Sequence, residues 1–229
     1  LIPYIQKYDI IHVHQFPATY WAVIARIFSA KKCKLVLTEH ATLNNRQNKW
    51  FLKGIERFIY HRYDAVVAIS KAVKTCLNRF VDVKLPVKIV YNGIDLKRFQ
   101  NALPIPRSKL GISDDIIIVI QVARFHPPKD QITLMKALMH LPYKYHIIFV
   151  GAGDTLELHK QKAKDLGLLN RVHFMGIRND VPALLKTADI VVMSSQYEGF
   201  GLAAVEGMAA GKPVIASGIP GLEEVVQGA

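Results

Sequence analysis

Short β-rich runs alternate with helical stretches along nearly the whole chain, and the rhythm breaks once. Residues 10–14 (IIHVH), 34–38 (KLVLT), 65–69 (AVVAI) and 87–91 (VKIVY) read as strands, with helices expected over 17–30 and 47–62 and another after Ser70, which stands at a helix-capping position. Residues 101–114 interrupt the series: they hold Pro104, Pro106, Gly111 and an acidic pair, and no long apolar run. The alternation restarts with the apolar run Ile116 to Val122, long enough for a strand buried on both faces. Helix 130–140, strand 146–150, helix 155–166, strand 171–175, helix 180–187, strand 189–193, helix 201–210 and strand 213–216 follow.

Strands alternating with helices of this length imply βαβ units and parallel sheets. A barrel would need about eight continuous units. One central break therefore favours an α/β chain of two Rossmann-like domains, 1–103 and 104–229. The 229 residues suffice for two small domains, and 51% hydrophobic against 21% charged residues excludes a disordered chain. The two cysteines, Cys33 and Cys76, make no disulfide framework and have no metal-type spacing, which points to a reducing, cytoplasmic compartment.

Charge is unevenly spread. Residues 1–100 carry 17 Lys/Arg against 6 Asp/Glu; residues 101–229 carry 13 against 12. Such asymmetry suits either an anionic partner of the first half (a membrane surface, a phosphorylated acceptor or nucleic acid) or a solubilising surface with no partner at all. Nucleic acid is the weakest of these, because the aromatics fall mainly in core-like positions rather than on an exposed basic groove. Segment 46–62 interleaves Arg46, Lys49, Lys53, Arg57 and Arg62 with Trp50, Phe51, Ile55, Phe58 and Ile59. Positions 51, 55, 58 and 59 suit a stripe packed on the sheet; the alternative is a basic amphipathic helix lying on a membrane. The first reading is favoured, with Trp50 and the lysines touching lipid.

The segment richest in chemistry runs from Ser195 to Pro213. It follows an apolar strand and passes through Glu198, Gly199, Phe200, Gly201 and Leu202 into a helix that carries Glu206. The glycines let a backbone approach a ligand closely. The helix start presents unpaired N–H groups and a positive dipole end, a ready site for a diphosphate. A carboxylate one turn in, acceptor-only when ionised, can take two hydrogen bonds from vicinal hydroxyls such as those of a ribose. His12 and His14, two apart on a strand, face one side; no Asp or Cys partner accompanies them, so a metal site is not expected there.

Glu198 and Glu206, seven residues between them and Gly-Phe-Gly after the first, resemble the E-x7-E signature of glycosyltransferase family 4, retaining enzymes of GT-B architecture. Other pieces match in order: Val122-Ala123-Arg124 with Lys129 five residues on, Phe149 to Gly153, Val172 to Gly176, Gly211 to Ala216, Gly221 to Val226, and in the first half Asp9 to His14, Thr38 to His40, Asp64 to Ser70 and Asn92 to Asp95. The resemblance implies two facing Rossmann-like domains and transfer of a sugar from a UDP-, GDP- or ADP-sugar to a glycan, lipid-linked or other cell-envelope acceptor. It assigns Glu206 to the donor ribose, and Glu198 and His40 to the transferred sugar. The backbone at Gly199, Phe200, Gly201 and Leu202 would hold sugar and diphosphate, Gly151 ends the strand before the donor, and Gly176 to Arg178 surround the base. Arg124 and Lys129 would neutralise the departing diphosphate, with no metal and no other cofactor. A nucleotide-sugar epimerase of the same architecture and an inactive sugar-nucleotide-binding fragment are the alternatives. The first strand and Gly-rich loop of the family are missing before Leu1, and its C-terminal helix after Ala229, so an internal fragment is expected, acting in the cytoplasm or on the inner face of the membrane. Pro220 stands where the family commonly has glycine.

Overall fold

Both β series form parallel sheets. The computed structural model describes residues 1–30, 33–42, 51–81 and 86–227. The chain divides into two compact units: Leu1–Asn92 with Glu198–Phe200, and Gly93–Tyr197 with Gly201–Ala229.

In the first unit, helix α1 (Ile2–Lys7) precedes β1 (Ile10–His14), α2 (Ala18–Ile27), β2 (Lys34–Glu39), α3 (Leu52–Tyr60), β3 (Ala65–Ala68), α4 (Lys71–Val81) and β4 (Lys88–Ile89). The strands pair in sequence order, β1-β2-β3-β4, all parallel. Leu35, Leu37, Val66 and Ala68 fill the core from the central strands, and Val23, Tyr60 and Val73 from the helices. Ser70 caps α4 as expected, its Oγ accepting from the Val73 N–H at 3.1 Å.

Helix α3 corrects the sequence reading. Phe51, Ile55 and Phe58 are exposed, whereas Glu56, Ile59 and Tyr60 are buried. The inward stripe is partly polar because hydroxyls meet its carboxylate: Tyr20 donates to Glu56, and Tyr60 in turn donates to Glu39 at 2.6 Å. Of the basic residues in this segment, Arg46 and Lys49, with Trp50, lie outside the described residues.

The second unit comprises α5 (Leu96–Gln100), β5 (Ile117–Val122), α6 (Gln131–Leu138), β6 (Tyr145–Val150), α7 (Leu156–Asp165), β7 (Val172–Phe174), α8 (Val181–Thr187), β8 (Ile190–Met193), α9 (Leu202–Ala209), β9 (Val214–Ala216) and α10 (Pro220–Val226). Its sheet order is β7-β6-β5-β8-β9, all parallel. The chain winds outward from β5 through β6 to β7, then returns to lie β8 on the other side of β5. That reversal makes a topological switch point, and crevices at the carboxyl ends of strands flanking such a point are where open α/β sheets bind ligands.

The units divide at Asn92/Gly93, eleven residues before the boundary read from sequence. The intervening segment carries α5, which packs on α8 and α9 and buries Phe99 in the second core. Arg107 then ties the irregular stretch to the sheet: its Nη2 donates to both Asp189 carboxylate oxygens at 2.8 and 3.0 Å, while Asp189 also accepts from the Ile118 N–H at 2.7 Å.

Candidate functional site

Because the second sheet is parallel, the loops after β5, β6, β7 and β8 all leave from one end. They bring together Arg124 and Lys129, Gly151, Gly176 and Arg178, and Gly201 and Leu202.

The β5 and β6 loops continue side by side beyond the strands. The Ala123 N–H donates to the Val150 carbonyl at 3.0 Å and the Phe125 N–H to the Ala152 carbonyl at 2.9 Å. Approach is so close that a Cβ on Gly151 would lie 2.1 Å from the Ala123 oxygen, and one on Gly153 2.1 Å from the Phe125 oxygen. On the other flank, the Gly151 N–H donates to the Gly176 carbonyl at 2.8 Å. Gly151 thus keeps three loops in register.

Arg124 projects from this floor with its side chain exposed, its Nη2 3.5 Å from Asp154 Oδ2. Lys129 ends the 3-10 turn Pro127–Lys129, and Asp130, in the left-handed region at φ +47, caps α6 through Thr133.

The β5 and β8 loops are pinned across the switch point by three side chains with no motif to announce them. Gln121, buried in β5, donates through Nε2 to the Lys129 carbonyl at 3.0 Å and to Ser194 Oγ at 3.2 Å. The Ser194 hydroxyl lies 3.1 and 2.9 Å from the Lys129 and Asp130 carbonyls, either of which can accept its proton. Gln196 adds its N–H to the Pro128 carbonyl and its Nε2 to Asp130 Oδ2. The polarity of Gln121 inside the run 116–122 was the one available signal.

Gly201, in the left-handed region at φ +85, turns the chain into α9. A Cβ there would strike the Leu222 side chain at 2.3 Å. Helix α9 begins at the partly exposed Leu202; the N–H groups of Ala204 and Val205 already bond back to Gly201. Gly207 lets α9 approach β8, since a Cβ would meet the Val191 side chain at 3.0 Å. Glu206 sits half-buried on this helix. Burial pushes its carboxyl above the usual carboxylate range, and Arg98 on α5 pulls it part of the way back. A group held this way accepts hydrogen bonds strongly once ionised, and hydroxyl donors would favour the ionised form.

Arg178 is less free than the sequence implied. Its Nε and Nη2 donate to the Asp180 carboxylate at 2.8 and 2.6 Å. The salt bridge raises the Arg178 pKa and holds the Asp180 carboxyl below its ordinary range. The loop therefore offers a base its backbone and the exposed Ile177 more readily than a guanidinium.

His40 and the segment Glu198–Phe200 belong to the first unit. The Ser70 hydroxyl donates to the Gly199 carbonyl at 2.6 Å, and Phe200 packs against that unit's core. His40 Nε2 lies 2.9 Å from His14 Nδ1, and His12 Nε2 2.7 Å from the Thr38 hydroxyl. Burial, then His14, lower the His40 pKa against the opposing pull of Glu39. The Glu39 carboxylate accepts from the His40 and Ala41 N–H groups and from Tyr60, which fixes the backbone on which His40 stands. Among the described residues, no group of three or more His, Cys, Asp or Glu is arranged to hold a metal ion.

Two parallel α/β units, the second with a switch-point crevice floored by glycines, define a GT-B glycosyltransferase fold. The chain belongs to the glycosyl transferases group 1 family, whose model matches residues 104–229, and a Glycosyltransferase Family 4 model matches residues 1–98. It is 28% identical to N-acetyl-alpha-D-glucosaminyl L-malate synthase of Bacillus anthracis, over 97% of this chain and 60% of that protein. It is 26% identical to the UDP-Gal:alpha-D-GlcNAc-diphosphoundecaprenol alpha-1,3-galactosyltransferase of Escherichia coli, over 94% of this chain and 59% of that protein. Among solved structures, Anabaena Alr3699/HepE in complex with UDP-glucose superimposes with a TM-score of 0.86 at 28% identity, covering 98% of this chain and 64% of that one. The chain thus spans about 60% of the length of the curated relatives it matches.

Proposed function

We propose that the chain carries the donor site and part of the acceptor side of a retaining glycosyltransferase that uses a nucleoside diphosphate sugar. What supports this reading is the second unit's switch-point crevice, with its glycine floor beside the loop that carries Arg124 and Lys129, and the helix leaving β8 that carries Glu206. Ionised Glu206 takes the ribose hydroxyls, and the start of α9 receives the diphosphate. Negative charge grows on the diphosphate as the glycosidic bond breaks. Cations already in place at Arg124 and Lys129 stabilise that charge more than they stabilise the bound donor, which accelerates transfer without a metal ion. UDP is the first nucleotide to test, because a UDP-glucose complex is known for the Anabaena protein.

The acceptor is a lipid-linked or cell-envelope glycan, as the name of the E. coli relative suggests, reached from the cytoplasmic side. No helix among the described residues is long and apolar enough to cross a membrane. Peripheral docking of the basic first half on anionic lipid would meet such an acceptor. The exposed Phe51, Ile55 and Phe58 beside Lys53 and Arg57 favour this reading.

Titration calorimetry with UDP, GDP and ADP against this chain and Glu206→Ala tests the donor site. One nucleotide binds and the variant loses it; a folded chain that binds none of the three overturns the reading.

A further inference from the structure

The first unit holds a second concave site, built by residues with no part in the donor crevice. A cavity of about 500 Å³ opens where the end of α2, the start of β2 and the turn after α3 meet. Among the described residues, three cations line it, Arg26, Lys34 and Arg62, against one carboxylate, Asp64. That carboxylate is already committed: Asp64 Oδ2 accepts from Arg26 Nη1 at 2.6 Å and from the Leu35 N–H at 2.8 Å. It therefore aims Arg26 into the cavity and leaves the charges of Lys34 and Arg62 uncompensated by any other lining group among the described residues. Arg62 is held by stacking, its guanidinium carbon 4.5 Å from the centroid of the Phe58 ring.

What surrounds these cations identifies the class of anion. Ile27 lines the cavity and is half-exposed, the adjoining Phe28 is 74% exposed, and Phe58 beneath Arg62 is 47% exposed. A free inorganic anion gains nothing from an apolar rim. An anionic headgroup with acyl chains attached matches both parts, cations to its phosphate and apolar side chains to the acyl boundary.

We propose that this cavity binds the phosphate group of an anionic phospholipid, with Arg26, Lys34 and Arg62 around the phosphate and Ile27, Phe28 and Phe58 in the acyl boundary. The proposal rests on the reading that the first half docks on a membrane, and names the pocket that does so.

The test is co-sedimentation of this chain with vesicles of phosphatidylcholine alone and with phosphatidylglycerol added, at low salt. The paired variants are Lys34→Glu/Arg62→Glu and Arg79→Glu/Lys88→Glu, which change net charge equally, the second pair lying outside the cavity. Circular dichroism checks that each is folded. The pocket variant is expected to lose about tenfold in partitioning and the control less than about threefold. Equal losses overturn the pocket while leaving membrane docking standing. Parent chain that ignores phosphatidylglycerol overturns both. A second measurement needs no variant: titration of the parent chain with dihexanoyl phosphatidylglycerol below its micelle concentration, against inorganic phosphate. The short lipid is expected to bind more tightly; equal affinity marks a site for free anions and overturns the lipid assignment.

Discussion

The carbonyl oxygen of Phe125 occupies the space where Gly153 would carry a side chain: a Cβ there would stand 2.1 Å away. The neighbour is backbone and cannot swing aside. Gly153→Ala is therefore expected to destabilise the chain by about 3 kcal/mol. Gly54, exposed in the first turn of α3, has nothing among the described residues within 4 Å of its Cβ position, and Gly54→Ala should stabilise by about 0.5 kcal/mol through helix propensity. Urea titrations of both variants check the opposite signs.

Glu206 makes nucleotide binding pH-dependent. Burial raises its pKa in the free protein, so part of the population is protonated just above the ordinary carboxylate range. Ribose hydroxyls bind the ionised form, so UDP affinity should rise with pH through that window and binding should release a proton. Glu206→Gln should bind about 10- to 100-fold more weakly, the loss of charged hydrogen bonds, and without that pH dependence. Calorimetry in buffers of different ionisation enthalpy measures both.

Gln121 is expected to matter more for binding than for stability. Leucine in its place removes the donor to the Lys129 carbonyl, but it also removes an Oε1 that is buried with no hydrogen-bond partner among the described residues. The two effects oppose, so Gln121→Leu should shift unfolding by no more than about 1 kcal/mol. Loosening the turn that presents Lys129 should weaken UDP binding about tenfold. Comparable losses in both measurements would mean that Gln121 only holds the core.

His146 and His173 stack at 5.3 Å between centroids and 23° between planes, with Nδ1 of the first 3.1 Å from Nε2 of the second. Burial lowers both pKa values. Arg171 adds to the effect at His146 against an opposing Asp115, and His146 adds to it at His173. The unfolded histidines, near 6.5, take up protons before the folded ones do. Their contribution to stability is complete above that value and falls as pH drops through it. Urea midpoints should decline between about pH 7 and pH 5, and decline less in His146→Gln/His173→Gln.

The strands were legible because parallel strands buried on both faces read as apolar runs, and Ile116 to Val122 appears within one residue of its place in β5. Helices α1, α5 and α10 carried too few turns for a periodic signal; α5 exists because Phe99 enters a core built mostly of later residues. The buried stripe of α3 escaped notice because Glu56 and Tyr60 are polar by composition and find partners only in the folded state. The glycines and glutamates of the candidate site drew notice through a resemblance to a family signature rather than through spacing alone, and their roles rest on that resemblance. The Gln121–Ser194 clamp was not, since it joins residues 73 apart in the chain.

The sheet order has a kinetic consequence. Strand β5 pairs with β6 across a connection of about one βαβ unit, but with β8 only after β6, β7 and three helices have intervened. Closing the longer loop is the slower step. One half of the sheet can assemble while the switch point is still open, and the crevice exists only once β8 has arrived. Nucleotide binding during refolding would then report the docking of β8, lagging behind the recovery of helix signal.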